Sequence, residues 1–113
     1  MPKKIPKKAI ALHLVEKGIH IGNLIQVPGS PDLWDTGNWW IGDKTARDLI
    51  GRNIYLHLGQ LEPSHLGGEV LSFKIYSADP KRKIFRFRKL DACLGVNTPK
   101  ENWTNEKKVI WQK

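Results

Sequence analysis

Apolar residues recur at every second position in three separate stretches of this chain: Ile54, Leu56 and Leu58; Leu71, Phe73 and Ile75; Phe85 and Phe87. A period of two lines one face of a β-strand and is incompatible with an amphipathic helix, so these stretches predict strands with one buried face. The first carries Tyr55 and His57 on its opposite face, about 7 Å apart along the strand. The third sends Arg86 and Arg88 opposite its phenylalanines. Ser77-Ala78-Asp79-Pro80 is a turn former between the second and third stretches, which predicts a hairpin. Gly67-Gly68 opens the second stretch as a bulge or a close backbone approach.

Ile10, Leu12 and Leu14 continue the alternation near the beginning, where a short helix ending at Gly18 competes with a strand. Val109 and Trp111 offer a closing strand over Lys107–Trp111. Pro28-Gly29-Ser30-Pro31-Asp32 reads as a loop that continues through Leu33–Trp40, because Gly37 interrupts any regular alternation there. Asp43 is placed as the N-cap of one helix over Lys44–Ile50, and Gly51 supplies the left-handed stop. The turn Glu62-Pro63-Ser64-His65 follows the first strand. Residues 1–8, with Lys3, Lys4, Lys7 and Lys8 around two prolines, read as a flexible basic arm. Residues 9–113 then form a single domain, mainly β with one or two short helices (α+β). A barrel of five to six mixed or antiparallel strands is expected, since closure removes the exposed edges.

The run Gly37-Asn38-Trp39-Trp40, the helix over Asp43–Ile50, then Gly51-Arg52-Asn53-Ile54-Tyr55-Leu56-His57 and Gly67-Gly68-Glu69-Val70-Leu71 resemble the PUA-like superfamily, in particular its EVE and ASCH branches. The resemblance spans roughly 34–90. It implies a pseudo-barrel with a cleft that receives a base of RNA or of modified DNA. It also brings an alternative, a small ASCH-like hydrolase acting on RNA or modified nucleosides, with Lys44, Thr45, Tyr55 and Glu69 as the residues such an activity would recruit.

The charge balance supports a polyanionic partner independently: 19 Lys and Arg against 11 Asp and Glu leave a net charge of +8. Lys81, Arg82, Lys83, Arg86 and Arg88 form the densest basic segment and are assigned to the nucleic-acid backbone. Of the five tryptophans, Trp39 and Trp40 are adjacent, so they cannot both point inward on a regular strand. One of them is expected to stack on a base, with Tyr55 and His57 at the base edge and Ser64 and His65 as further hydrogen-bonding groups. The competing reading makes these tryptophans loop anchors and His57 a buried histidine satisfied by backbone. No spacing defines a catalytic set, a cofactor site or a metal site, and Cys93 alone makes no intramolecular disulfide. No apolar run approaches the roughly 18 residues of a membrane span, and Pro6, Lys7 and Lys8 interrupt any leader, so a cytoplasmic protein is expected. A third class is a protein-interaction module, such as an inhibitory factor of a mobile element.

Overall fold

The computed structural model describes residues 7–16 and 24–113; Lys3 and Lys4 of the basic arm and Gly18 lie outside them. The strands are β1 (Ala9–Val15), β2 (Ile25–Gln26), β3 (Leu33–Trp40), β4 (Asn53–His57), β5 (Ser64–Ile75), β6 (Arg82–Lys89) and β7 (Lys107–Trp111). One helix, α1 (Asp43–Leu49), joins β3 to β4, and a 3-10 turn covers Asp91–Cys93. All seven strands belong to one sheet, in the order β2-β3-β6-β5-β4-β1-β7. β1 and β4 run parallel and the other neighbours antiparallel. Among the described residues the fold is mainly β and the sheet mixed, as expected, but it has seven strands and its ends do not pair. The edges remain: β2 at one side and β7 at the other.

The alternation read from the sequence sets the core. Leu12 and Leu14 of β1, Ile54 and Leu56 of β4, and Phe85 and Phe87 of β6 pack on one face with Ala46 and Leu49 of α1. β1 is a strand, not a helix, because its even positions meet the same positions of β4 in register, Leu12 opposite Ile54 and Leu14 opposite Leu56. β5 departs from simple alternation. A register shift between Val70 and Ser72 makes Leu71 the extra residue of a bulge, so Val70 and Phe73 face the core together. The hairpin of β5 and β6 forms as expected.

Two boundaries differ. Ser64 and His65 begin β5 instead of lying in the preceding turn, and Asp43 is the first helical residue, with Gly42 in the N-cap position and no side-chain cap. Gly51 follows the helix at φ +83, the left-handed stop that its sequence position implied.

The largest departure is Leu33–Trp40, a strand and not an aromatic loop. Its alternation is hidden by a bulge between Asp35 and Asn38. Trp34 faces Phe87 on the core side, Gly37 sits in the bulge, and the phase then resumes with Trp39 opposite Lys83 and Trp40 opposite Arg82. Local chemistry holds the bulge: the Thr36 hydroxyl donates to the Gly37 carbonyl at 2.7 Å and accepts the Phe85 N–H at 3.1 Å, replacing the missing ladder bond.

Candidate nucleic-acid interface

Glu16, the residue that follows β1, links the two halves of the sheet. Its Oε1 accepts the Gly37 N–H at 2.7 Å and the Trp39 indole N–H at 2.8 Å, and its backbone carbonyl accepts His65 Nε2 at 2.5 Å. The bulge is what frees the Gly37 N–H for this carboxylate. Trp39 is therefore an anchor, packed on the core with its only polar atom satisfied. Glu16→Ala leaves two donors unpaired in a buried setting, and an expected loss of about 2–4 kcal/mol follows from the cost of such groups. Glu16→Gln keeps an acceptor and is expected to lose about 1 kcal/mol. Urea unfolding distinguishes the two, and equal losses would show that the hydrogen bonds are not what Glu16 contributes.

Trp40, one position on, has the opposite environment. It is 58% exposed at the end of β3. The Lys107 ammonium lies 5.2 Å from its ring centroid and also donates to its backbone carbonyl. A cavity of about 300 Å³ beside it is lined by Trp40, Gly42, Asp43, Pro80, Lys81 and Lys83. Lys83 forms the base of this region, 1% exposed, its ammonium bonded to the carbonyls of Ile41 and Pro80 and to Asp43 at 2.9 Å. The hydrogen bond and charge of Lys83 hold the Asp43 carboxyl below the usual carboxylate range. Lys83 shares the core phase of Phe85 and Phe87 and is fully occupied, so it does not meet phosphates as the sequence suggested.

The remaining basic residues are only partly a free stripe. Arg86 and Arg88 do face outward, but Asp35 of β3 lies opposite Arg86 and forms a bidentate pair with it at 2.8 and 3.0 Å. Arg82 leans on Asn38 at 3.3 Å and on Asp79 at 3.6 Å. Lys81, Arg88 and Lys89 are exposed. The acidic partner of Arg86 lies 51 residues away, which the local sequence could not reveal.

Tyr55 and His57 share a face as expected, yet they are not joined to Trp40. His57 is fully buried. Its Nδ1 lies 2.8 Å from the Glu62 carbonyl, which can only accept, so that nitrogen carries the proton and Nε2 accepts from His13 Nδ1 at 2.8 Å. His13 in turn stacks on Tyr55 with ring centroids 4.6 Å apart, and Trp103 sets its edge against both imidazoles. Burial first, then the charges of His57 and Lys108, lowers the His13 pKa from 6.5 to about 4. Burial also lowers that of His57. These groups form a neutral structural cluster on the outer face of β1 and β4. Tyr55 reaches Asn53 at 3.3 Å, whereas His57 has no ring nitrogen left for a base edge.

Ser64 is a pin: its hydroxyl donates to the Cys93 carbonyl at 2.5 Å and accepts the Val96 N–H at 2.9 Å. His65 is held on Glu16. Thus Trp39 and His65 come together through Glu16, Tyr55 and His57 through His13, and Trp40 stands apart with Lys81 and Lys107. His13, Glu16 and Trp103 are the members the sequence reading passed over; only His13 had a signal, as the polar residue between Leu12 and Leu14. Among the described residues, no hydrogen bond joins Lys44, Thr45, Tyr55 and Glu69, and no group of three metal-ligating side chains occurs. No helix among them is long and apolar enough to cross a membrane. No protein-family model matches this sequence, and neither a curated protein nor a solved structure matches the chain.

Proposed function

We propose that this chain is a basic nucleic-acid-binding module of PUA-like, pseudo-barrel type, in which an unpaired or extruded base of RNA or modified DNA stacks on Trp40. The observation that carries the reading is an exposed indole beside a cavity of about 300 Å³ with Lys81 on its rim and Lys107 against the ring. An indole offers the largest aromatic face for a base, and a cation on one side of the ring leaves the other side for stacking. Lys81, Arg82, Arg88 and Lys107 supply charge for the flanking phosphates, while Arg86, already paired, contributes less. The bonds from Glu16 to β3 and from Lys107 to Trp40 bring opposite parts of the sheet together, as a pseudo-barrel requires.

The test is binding of a labelled twelve-nucleotide single strand, as RNA and as DNA, to wild type and variants. Trp40→Ala is expected to weaken binding by about 5- to 150-fold, the equivalent of about 1–3 kcal/mol for one stacked base. Its thermal melt stays within about 1 kcal/mol of wild type, since the lost contacts are exposed. Trp39→Ala destabilises the fold instead. Lys81→Ala and Arg88→Ala lower affinity for all sequences alike and flatten the salt dependence by roughly 0.7 per lost phosphate contact. Unchanged binding by a folded Trp40→Ala protein refutes the stacking site.

A further inference from the structure

The open edge of β7 is a second surface with its own chemistry. β7 ends the strand order, and the opposite edge, β2, is only two residues long. The bonds from Val15 N–H to Glu106 and from Gln112 N–H to the Lys8 carbonyl fix the phase of the β1–β7 ladder. Even-numbered residues of β7 point their backbone groups at β1, so Lys107, Val109 and Trp111 point theirs outward. Thr104 takes both groups of Lys107, at 2.8 and 3.1 Å. Val109 and Trp111 are left with two donors and two acceptors on the edge, with no partner among the described residues.

Natural sheets guard such an edge with lysines, prolines or bulges. Here the bulge lies on the β1 side, between Ala9 and Ala11, and β7 contains no proline. Both of its lysines turn away: Lys107 lies against Trp40, and Lys108 is buried with its ammonium on the Pro99 carbonyl at 2.7 Å. What remains is a groove of about 580 Å³ walled by Asn102 and Thr104 and running along Val109, Ile110 and Trp111. Trp111 is 44% exposed in it.

We infer that this edge binds an acidic peptide in extended conformation, which adds as a further strand beside β7. Alternating N–H and C=O groups of a peptide satisfy both the donors and the acceptors of Val109 and Trp111. A phosphodiester backbone has only acceptors and would leave the two carbonyls unpaired. The charge is set by the exposed Lys113 just beyond β7 and by the exposed Lys7 and Lys8, the latter paired through its carbonyl with Gln112, with no acidic residue over 107–113. A second copy would bring the same lysines and a net charge of +8 against themselves, which disfavours it as the occupant. This inference is independent of the nucleic-acid site at Trp40.

The probe is a blocked hexapeptide alternating glutamate and valine, with its amide-shift footprint followed on the intact chain. Saturable binding is expected, with shifts centred on Val109–Trp111 and weakened by salt. N-methylation of every second peptide nitrogen on the edge facing β7 is expected to lower affinity at least tenfold, and methylation of the alternate set to leave it unchanged. Val109→Pro removes one outward donor without touching the ladder to β1, and is expected to weaken binding about tenfold; Trp111→Pro removes the other outward donor, at the end of the strand, and repeats the test where the first variant folds poorly. Equal binding of the two methylated peptides reduces the contact to charge alone and overturns the proposal. So does displacement of the Val109–Trp111 footprint by a single-stranded oligonucleotide, or by self-association of the chain.

Discussion

Gly68→Ala is expected to abolish or nearly abolish folding. A Cβ at Gly68 would overlap the Arg88 carbonyl oxygen and come within 2.5 Å of its carbonyl carbon and 3.0 Å of the Lys89 Cα. These are backbone atoms of the paired strand, with Gly68 opposite Lys89, so no rotamer change relieves the collision. β5 and β6 would have to separate at the centre of the sheet, next to Phe87 and Val70. Losses above about 4 kcal/mol come from such mechanisms, and a domain of this kind has only about 5–15 kcal/mol in total. Gly59→Ala is the control, because its Cβ would meet only the flexible Glu62 Cγ at 3.7 Å. The measurement is the yield of soluble protein and the urea midpoint of each variant; a cooperative transition for Gly68→Ala near that of wild type would contradict the close approach.

Acid is expected to destabilise the protein through the buried imidazoles. His13 has its pKa lowered from 6.5 to about 4 by burial and by the neighbouring His57 and Lys108, and His57 shifts in the same direction. Below pH 6.5 the unfolded chain binds protons that the folded chain refuses, so stability falls as pH drops from about 6.5 through about 4. For His13 alone the gap corresponds to about 3 kcal/mol, with His57 adding to it. The groups facing the pair are Tyr55, Trp103, Lys108 and His65, none of which supplies a carboxylate to hold the imidazolium. Glu62 touches His57 through its backbone carbonyl only. Urea midpoints between pH 8 and pH 4 measure the slope. His13→Asn keeps a donor toward His57 and is expected to lower stability at pH 8 while flattening the pH dependence. An unaltered slope in that variant would move the effect to other groups.

The same cluster shows what could be read early. Tyr55 and His57 were assignable to one face because a period of two fixes orientation whatever the surroundings. Whether that face opened to a ligand depended on His13 and Trp103, which arrive from β1 and from the segment before β7. The imidazole bond spans 44 residues, and no local pattern encodes it. Likewise, two adjacent tryptophans had to point opposite ways, but only the Glu16 carboxylate decides that Trp39 is the anchor and Trp40 the exposed ring.

The sequence by itself determined the strands of Ile54, Phe73 and Phe85, the hairpin at Ser77–Pro80, the helix with its stop at Gly51, and a basic surface. Each follows from local periodicity, turn chemistry or composition. Tertiary structure decided the rest. The bulge at Gly37 hid β3 from any alternation test, because one extra residue reverses the phase and its hydrogen bonds are made by Thr36 and Glu16. Lys83 looked like its basic neighbours and is buried because three acceptors, from Ile41 just after β3, from α1 and from the hairpin turn, converge on its ammonium. Arg86 lost much of its free charge to Asp35 for the same reason: strand pairing brings distant residues into register, and their chemistry is settled by the partner they meet there.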